Sequence, residues 1–348
     1  MEDRSIHNVY MQRCIDLAKH GFREVKSNPM VGAMIVNGDR VLGEGYHEYY
    51  GGPHAEVNAL NAVSSSNKHL IPGSTLYVTL EPCSHTGKTP PCAHRIVQEK
   101  VANVVIGCVD PNPLVAGRGF QLLKDHGINV TISPLQPKCE MLISKFKINL
   151  TGLPYVHLKW AQSADNLMSS SHQSTWLSNP ISGILSHKYR SQYESILVGK
   201  NTILSDDPQL TTRNVTGKNP IRIILDTNIT IPTSSKVLSD NNPTLIINQV
   251  KNDIIGAVSY IKVDDLNDIE SILKMLFIQG ITSIIIEGGS KVLNAFIKSG
   301  FWHEAMIIQT KKILSDGIKA PSLTGSLIEK YVLQDDEIIM ISNSNIIQ

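Results

Sequence analysis

One histidine, one glutamate and two cysteines stand at a spacing that favours zinc chemistry. His54 and Glu56 are two residues apart, and Cys83 and Cys92 each follow a proline. One imidazole and two thiolates fill three positions of a tetrahedral zinc and leave the fourth for water, as in catalytic sites. Zinc makes that water a nucleophile at neutral pH, able to attack an amino-bearing ring carbon. We therefore expect Glu56, which is not a ligand, to be the catalytic residue that passes the proton to the leaving ammonia.

Two other interpretations of these residues stay open. A structural zinc could take its fourth ligand from His85 or His94, or the cysteines could be buried thiols without a metal. Either would make the chain a non-catalytic binding module. A structural site does not need a glutamate beside it, so Glu56 favours catalysis.

Composition limits the partners and the compartment. The chain has 348 residues, enough for two domains, and a net charge of only +1, so it lacks the basic field that tracks nucleic acid. We expect a small-molecule substrate, a homo-oligomer and no nucleic-acid partner. The charged N-terminal stretch is unlike a signal peptide, and apolar residues never run together for 18 positions, so we expect a cytoplasmic protein without a membrane partner. Five scattered cysteines do not suggest a disulfide framework.

The first 132 residues predict one α/β unit. A helix over 7–20 ends at a glycine, and a hairpin turn Asn-Gly-Asp joins strands over 31–36 and 40–44. Helices and strands then alternate, which is typical of helices packed around one sheet. The predicted elements are a helix after Pro53, strands over 76–80, 101–107 and 128–132, and helices over about 93–100 and 120–126.

Two proline-containing breaks, at 133–137 and 151–154, flank a predicted helix over about 138–150 and place a domain boundary there. We therefore expect a deaminase domain over 1–148 and a second α/β domain over 149–348. In the second domain no G-x-G-x-x-G follows a strand, which excludes a Rossmann dinucleotide site. A strand over 283–287 instead runs into Gly288-Gly289 and a helix start, where free N–H groups can hold a pyrophosphate. Its other predicted elements are strands over 155–159, 195–199, 221–226 and 244–248, two terminal strands, and helices that begin at Asn179-Pro180, span 269–279 and span 291–298.

The order H-x-E followed by P-C resembles the zinc nucleobase deaminases. Their common form continues C-x-x-C, whereas eight residues separate Cys83 from Cys92. This longer loop, Glu-Pro-Cys-Ser-His-Thr-Gly-Lys-Thr-Pro-Pro-Cys over 81–92, resembles the deaminase half of the bifunctional deaminase–reductase family of riboflavin biosynthesis, as do 27–32, 45–47 and 110–113. The resemblance implies a cytidine-deaminase-like three-layer α/β/α domain. It also places a pyrimidine and its ribose phosphate at Asn28, His47, Lys88 and Asn112.

Residues 154–325 resemble the reductase half of the same family. The match includes Lys159, 174–176, 198–199, 206–208 and 210–211. It implies a dihydrofolate-reductase-like α/β fold that uses NADPH, with two substrate arginines suited to bidentate phosphate recognition. The implied substrate residues are Ser174, Arg190, Leu210, Arg213 and Glu287. The implied NADPH residues are Ala161, Trp176, Thr202, Asp206, Gly289, Ser290, Lys291, Val292, Leu293, Asn294 and Ala295.

Three residues depart from the reductase pattern near the expected cofactor loop. Asn166 and His172 stand where the family usually has glycine, and Ser315 replaces a glycine near the C-terminus. The combined resemblance implies zinc-dependent deamination of 2,5-diamino-6-ribosylamino-4(3H)-pyrimidinone 5′-phosphate, followed by NADPH-dependent reduction of the ribosyl group to ribityl. The nearest rival, a tRNA adenosine deaminase, predicts a basic groove and a C-x-x-C spacing, and the sequence has neither.

Overall fold

The computed structural model describes residues 2–84, 91–113, 115–170 and 176–344, and for residues 2–5 it describes the backbone only. The chain forms two compact units, Met1–Thr151 and Gly152–Gln348. The predicted boundary between residues 148 and 149 falls within a helix, Ser144–Leu150. Each unit has its own sheet and its own hydrophobic core.

The first unit alternates helices and strands as predicted. The helix expected over 138–150 is two helices, because Ile143 leaves the helical conformation at φ −93° and ψ 8°. Its helices and strands are α1 (Glu2–Ala18), β1 (Gly32–Asn37), β2 (Arg40–Tyr46), α2 (Ala55–Asn61), β3 (Thr75–Leu80), α3 (Cys92–Gln98), β4 (Asn103–Cys108), α4 (Arg118–Asp125), β5 (Asn129–Ile132), α5 (Gln136–Leu142) and α6 (Ser144–Leu150).

The five strands of this unit lie in the order β2-β1-β3-β4-β5. β2, β1 and β3 run antiparallel, whereas β3, β4 and β5 run parallel. β3 and β4 are almost wholly buried, as expected of strands with a helical layer on each face. α1 contacts α5, and α3 contacts both α2 and α4, which gives the α/β/α layering. The carboxyl ends of β3 and β4 are neighbours in the sheet.

The second unit is built around a larger mixed sheet. Its short strands β7, β11, β12 and β15 and its seven-residue helix α8 were not predicted from the sequence. Its elements are β6 (Tyr155–Gln162), β7 (Leu167–Ser170), α7 (Pro180–Gln192), β8 (Ser195–Gly199), α8 (Lys200–Asp206), β9 (Ile221–Leu225), β10 (Thr244–Asn248), β11 (Asp253–Ile255), β12 (Val258–Lys262), α9 (Ile269–Ile278), β13 (Ser283–Ile286), α10 (Ser290–Ser299), β14 (Glu304–Gln309), β15 (Gly317–Lys319), β16 (Ser326–Leu333) and β17 (Asp336–Ser342).

Ten of these strands form one sheet in the order β11-β12-β10-β9-β8-β13-β6-β14-β17-β16, and β15 pairs with β7 separately. The seven strands from β12 to β14 are parallel. β13 lies between β8 and β6, so the segments that follow these three strands meet at one edge. In open α/β sheets ligands bind at such an edge.

Among the described residues, no helix combines the length and the apolar character needed to cross a membrane.

Candidate zinc and cofactor sites

The structure brings His54, Cys83 and Cys92 together. The Nδ1 atom of His54 lies 3.6 Å from the Cys83 Sγ and 3.3 Å from the Cys92 Sγ. All three potential ligand atoms lie within 4.8 Å of one another. Zinc with a Zn–N distance of about 2.0 Å and a Zn–S distance of about 2.3 Å holds these atoms about 3.6 Å apart at the tetrahedral angle. The donor set and its spacing therefore fit zinc.

Each ligand is fixed by the start of a helix or the end of a strand. His54 immediately precedes α2, Cys83 follows β3, and Cys92 is the first residue of α3. The Cys92 backbone N–H donates to the Cys83 Sγ at 3.3 Å, and the Ala93 N–H donates to the Cys83 carbonyl. Helix N-termini and backbone N–H groups favour a thiolate over a thiol.

The Cys83 and Cys92 side chains shift each other's pKa in opposite directions. Hydrogen bonding from the Cys92 thiol, aided by His54, lowers the pKa of Cys83 against the effect of burial. The same hydrogen bond raises the pKa of Cys92. A metal ion that uses both sulfur atoms must therefore displace the Cys92 proton.

Glu56 lies in the first turn of α2 and is only 4% exposed. Burial raises its pKa to about 7, although His54 acts in the opposite direction. A carboxyl group with such a pKa can take up and release a proton near neutral pH, as a general acid–base must.

The interpretation as a structural zinc site needs a fourth protein ligand. His94 is exposed on α3 and is not part of the ligand group. His85, like the predicted phosphate-binding Lys88, lies outside the described residues. Among the residues that the structure describes, the cluster therefore offers three ligands and leaves a position for water.

Two of the predicted substrate residues lie beside the metal ligands. His47 is buried, and its ring centroid is 5.5 Å from that of His54. Its Nδ1–H faces the Pro53 carbonyl at 3.0 Å, which leaves Nε2 to accept from the Asn28 amide at 3.0 Å. Burial lowers the pKa of His47, so the ring is neutral and the tautomer is set by these bonds. Asn112 lies in the connection between β4 and α4.

In the second unit, Arg190, Glu287 and Lys159 form a charged cluster whose side chains are only 8 to 12% exposed. Arg190 donates from Nε to Glu287 Oε1 at 2.9 Å and from Nη2 to Oε2 at 2.6 Å. Lys159 Nζ lies 3.9 Å from the Glu287 Oε2. Burial disfavours the charged carboxylate, but Arg190 and Lys159 outweigh it and hold the pKa of Glu287 to about 2. Burial also lowers the pKa of Lys159.

Arg190 and Arg213 have different surroundings. Arg190 also donates from Nη1 to the Thr211 carbonyl, so three of its N–H groups are engaged within the protein and two remain for a phosphate. Arg213 is exposed and follows Leu210, which is held in a left-handed conformation at φ 54°.

Sequence reasoning missed His187. This buried residue on α7 accepts from the Arg213 backbone N–H at 3.4 Å and so helps to fix the segment that carries both predicted substrate residues. It lies three residues before Arg190 on the same helix, which is the only sequence signal that could have indicated it.

The turn between β13 and α10 is shaped for an anion. Gly289 adopts a left-handed φ of 63°, and a side chain there would begin 3.5 Å from the Thr202 hydroxyl. The N–H groups of Val292 and Leu293 donate to the Gly289 carbonyl. The N–H groups of Ser290 and Lys291 come before these bonds and have no hydrogen-bond partner within the described part of the chain, so they can hold a phosphate. These residues fit the pyrophosphate of a dinucleotide.

The other predicted cofactor residues lie on several elements of the second unit. Ala161 lies near the end of β6, Asp206 ends α8, and Trp176 is 66% exposed. Leu293 is fully buried in the core, so only its backbone faces the turn. Asn294 and Ala295 are exposed on α10. Ser174 lies outside the described residues.

Two of the three departures from the reductase pattern share one network. Asn166 and Ser315 both have left-handed backbones, at φ 60° and φ 65°. The Asp165 carboxylate accepts from the N–H groups of Leu314 and Ser315 at 3.1 and 2.8 Å, which supports the serine in a conformation that glycine adopts more easily. His172 lies outside the described residues.

In comparisons with known proteins, each of the two units of the chain matches a family of its own. Residues 4–108 match the family model of the cytidine and deoxycytidylate deaminase zinc-binding region, and residues 154–346 match that of the RibD C-terminal domain. The chain is 37% identical to the riboflavin biosynthesis protein RibD of Aquifex aeolicus, over 94% of this chain and 93% of that one. It is 39% identical to the RibD of Bacillus amyloliquefaciens, over 91% and 88%.

Solved structures give the same result. A Thermotoga maritima protein described as a diaminohydroxyphosphoribosylaminopyrimidine deaminase/5-amino-6-(5-phosphoribosylamino)uracil reductase superposes with a TM-score of 0.88 at 32% identity, covering 98% of this chain and 99% of that one. Acinetobacter baumannii RibD gives a TM-score of 0.82 at 31% identity, with coverages of 98% and 100%. These matches confirm the predicted fold class and the pairing of a zinc-binding deaminase domain with a reductase domain. The chain therefore belongs to the RibD family of bifunctional deaminase–reductases of riboflavin biosynthesis.

Proposed function

We propose that the first unit deaminates 2,5-diamino-6-ribosylamino-4(3H)-pyrimidinone 5′-phosphate and that the second unit reduces the ribosyl group of the product to ribityl. Zinc and NADPH are the cofactors of this family. The observation that carries the proposal is the joint presence of two built sites in one chain. One is a three-ligand metal cluster with a buried, non-ligating Glu56, and the other is a buried charged cluster around Glu287.

In the first unit, zinc when bound supplies a water activated for attack on the amino-bearing ring carbon. Glu56 takes a proton from that water and delivers it to the nitrogen that leaves as ammonia, a task that suits a pKa of about 7. The Asn28 amide and the His47 ring hold each other beside His54, where they can orient the pyrimidine.

In the second unit, NADPH when bound supplies the hydride that reduces C1′ of the ribosyl group. Opening of the C1′–O4′ bond also requires a proton on O4′. Lys159, whose pKa burial lowers, can donate this proton from Nζ, and ionised Glu287 keeps the ammonium in place. The two N–H groups that remain on Arg190, together with Arg213, can receive the 5′-phosphate.

An assay of the purified zinc-loaded protein tests the proposal. The diaminopyrimidine nucleotide should release one ammonia per molecule, and NADPH oxidation should then follow on the deaminated product. Absence of ammonia release would contradict the first step, and absence of NADPH oxidation on the supplied product would contradict the second.

We further infer a cytoplasmic homo-oligomer that acts on a free nucleotide. None of the five cysteines forms a disulfide, which suits a reducing compartment. Light scattering on the purified protein tests the oligomeric state, and a mass equal to the monomer would contradict it. The near-zero net charge argues against a nucleic-acid substrate, and filter binding with tRNA at physiological salt tests this directly.

A further inference from the structure

Glu81 is a buried carboxylate two residues before the zinc ligand Cys83, and it is only 4% exposed. It accepts three backbone hydrogen bonds. Oε2 accepts from the Asp110 N–H at 3.2 Å and from the Gly117 N–H at 3.0 Å, and Oε1 accepts from the Phe120 N–H at 3.1 Å. None of these donors lies in its own strand.

The three donors belong to the β4–α4 connection, described over 109–113 and 115–117, and to the first turn of α4. Asp110 stands near its start and Gly117 at its end, so one carboxylate holds both ends of the connection. Gly117 and Phe120 offer N–H groups that the start of α4 leaves without intrahelical partners. Glu81, the residue that follows β3, thus caps α4.

The same connection packs closely on the zinc-binding segment. A Cβ atom on Gly119 would lie 1.9 Å from the Pro82 carbonyl oxygen, so α4 begins in direct contact with the backbone next to Cys83. Asn112 lies between the two anchored ends, and its own N–H donates to the Asp110 side chain at 2.8 Å. The position of Asn112 relative to the metal ligands therefore depends on how firmly the connection is held.

We infer that Glu81 is a positioning residue for deamination. It fixes the β4–α4 connection, and with it Asn112, against the Pro82–Cys83 segment. The inference rests on the proposed function and on the substrate contact that the family resemblance implies for Asn112. Among the described residues, the hydrogen bonds of the Glu81 carboxylate go to Asp110, Gly117 and Phe120 and not to His54, Cys83 or Cys92, so its loss should weaken substrate binding and leave the metal in place.

The chemistry of the site requires a carboxylate. Three N–H groups converge on two oxygen atoms, and a carboxylate is an acceptor at both. A glutamine of the same size has only one acceptor oxygen, and its amide N–H groups occupy the place of the other. At least one of the three backbone N–H groups then faces another N–H group and loses its hydrogen bond. Loss of a hydrogen bond to a charged group corresponds to about 10- to 100-fold in the equilibrium between the docked and displaced connection. The apparent affinity for the substrate falls in proportion to the fraction of protein in which the β4–α4 connection is docked.

The experiment compares Glu81→Gln with wild type and with Glu140→Gln in the full zinc-loaded protein. Glu140 is a matched control because its carboxylate, on α5, accepts from the Gln136 side chain. For Glu81→Gln we expect KM for the diaminopyrimidine nucleotide to rise severalfold, by no more than the change of about 10- to 100-fold in the docking equilibrium, with a smaller change in kcat. Zinc content and NADPH oxidation on the deaminated nucleotide should equal those of wild type, and Glu140→Gln should match wild type throughout.

Two further measurements separate positioning from a general loss of structure. Amide hydrogen exchange of Asp110, Gly117 and Phe120 should be at least about tenfold faster in Glu81→Gln, while the amides of β3 and β4 remain protected. Adding Glu81→Gln to Asn112→Ala should raise KM by less than about twofold, because both changes act through the same contact.

Any one of four results for Glu81→Gln would overturn the inference. These are an unchanged KM, unchanged exchange at the three amides, loss of zinc, and a double variant whose rise in KM equals the product of the two single rises. If wild-type protein does not deaminate the nucleotide, the proposed function itself fails. If wild type deaminates it and Glu81→Gln does so equally well, only the inference fails.

Discussion

Replacing Arg190 by methionine removes the main partner of a buried carboxylate. The side chains of Arg190 and Glu287 are 12% and 8% exposed, and two hydrogen bonds of 2.9 and 2.6 Å join them. Methionine has a similar length and preserves much of the packing, but it leaves Glu287 with only the Lys159 ammonium at 3.9 Å. The variant also frees the Thr211 carbonyl from its hydrogen bond.

The expected loss of stability is large. Breaking a buried ion pair by removing one partner costs about 3 to 5 kcal/mol, because the remaining charge is buried without sufficient compensation. The pKa of Glu287 supports this range, since a shift from 4.5 to about 2 corresponds to about 3 kcal/mol. For a unit of this size, about 3 kcal/mol lowers Tm by about 6 to 12 °C.

The chain provides a selective reporter for this measurement. All three tryptophans, Trp160, Trp176 and Trp302, lie in the second unit. Tryptophan fluorescence during urea unfolding therefore reports the reductase unit alone, and ammonia release reports whether the first unit still works. We expect Arg190→Met to unfold at lower urea and to lose reduction, with deamination retained.

Arg213→Met is the matched control, because this arginine is exposed. It should weaken the binding of the phosphorylated substrate and change stability by less than about 0.5 kcal/mol. The double variant Arg190→Met/Glu287→Gln should recover part of the lost stability, because no charged carboxylate is left unpaired. An Arg190→Met protein within about 1 kcal/mol of wild type, or an Arg213→Met protein equally destabilised, would refute the reasoning.

Further predictions concern pH, metal and backbone strain. The pKa of Glu287 in the folded protein lies below its usual 4.5, so the ionised carboxylate stabilises the fold fully above that pH and loses this effect as pH falls toward about 2. In urea titrations the difference in free energy of unfolding between wild type and Glu287→Gln should therefore narrow across that window. A constant difference would contradict the assigned pKa. Chelation of zinc should abolish ammonia release and leave NADPH oxidation on the deaminated nucleotide intact, whereas equal loss of both would argue against separate sites. Ser315→Gly should raise the free energy of unfolding, obtained from urea titration, by about 0.5 to 1 kcal/mol because it relieves a left-handed serine. Asn166→Gly also loses a 3.0 Å hydrogen bond from Gln162 and should not stabilise the unit. Equal gains in both variants would show that strain alone sets the effect.

The sequence predicted most accurately those elements whose pattern is local. The buried strands β8 and β10 have the predicted bounds, because a continuous apolar run between turn residues marks both ends. Asn179 caps α7 as expected and accepts from the Ser182 N–H. The clustering of His54, Cys83 and Cys92 was also predictable, because zinc chemistry restricts both residue type and spacing.

Elements that depend on distant partners could not be predicted. β7 and β15 are short strands about 150 residues apart that pair with each other, and neither has a strand pattern of its own. Glu81 and His187 were missed for a similar reason, since each acts on backbone groups of a segment remote in sequence. Arg190 was expected to bind a phosphate through two hydrogen bonds, but in the structure it forms two hydrogen bonds with Glu287. The sequence could not show this, because the end of β13 brings Glu287 next to α7 only in the folded unit.

The most direct test of the central claim uses Glu56→Gln in the full zinc-loaded protein. Given the diaminopyrimidine nucleotide and NADPH, this variant should release ammonia about 100- to 10,000-fold more slowly than wild type and should oxidise almost no NADPH. Given the deaminated nucleotide, it should oxidise NADPH at the wild-type rate, with its zinc content unchanged. Ammonia release at the wild-type rate, or loss of NADPH oxidation on the deaminated nucleotide, would contradict the assignment of one step to each unit.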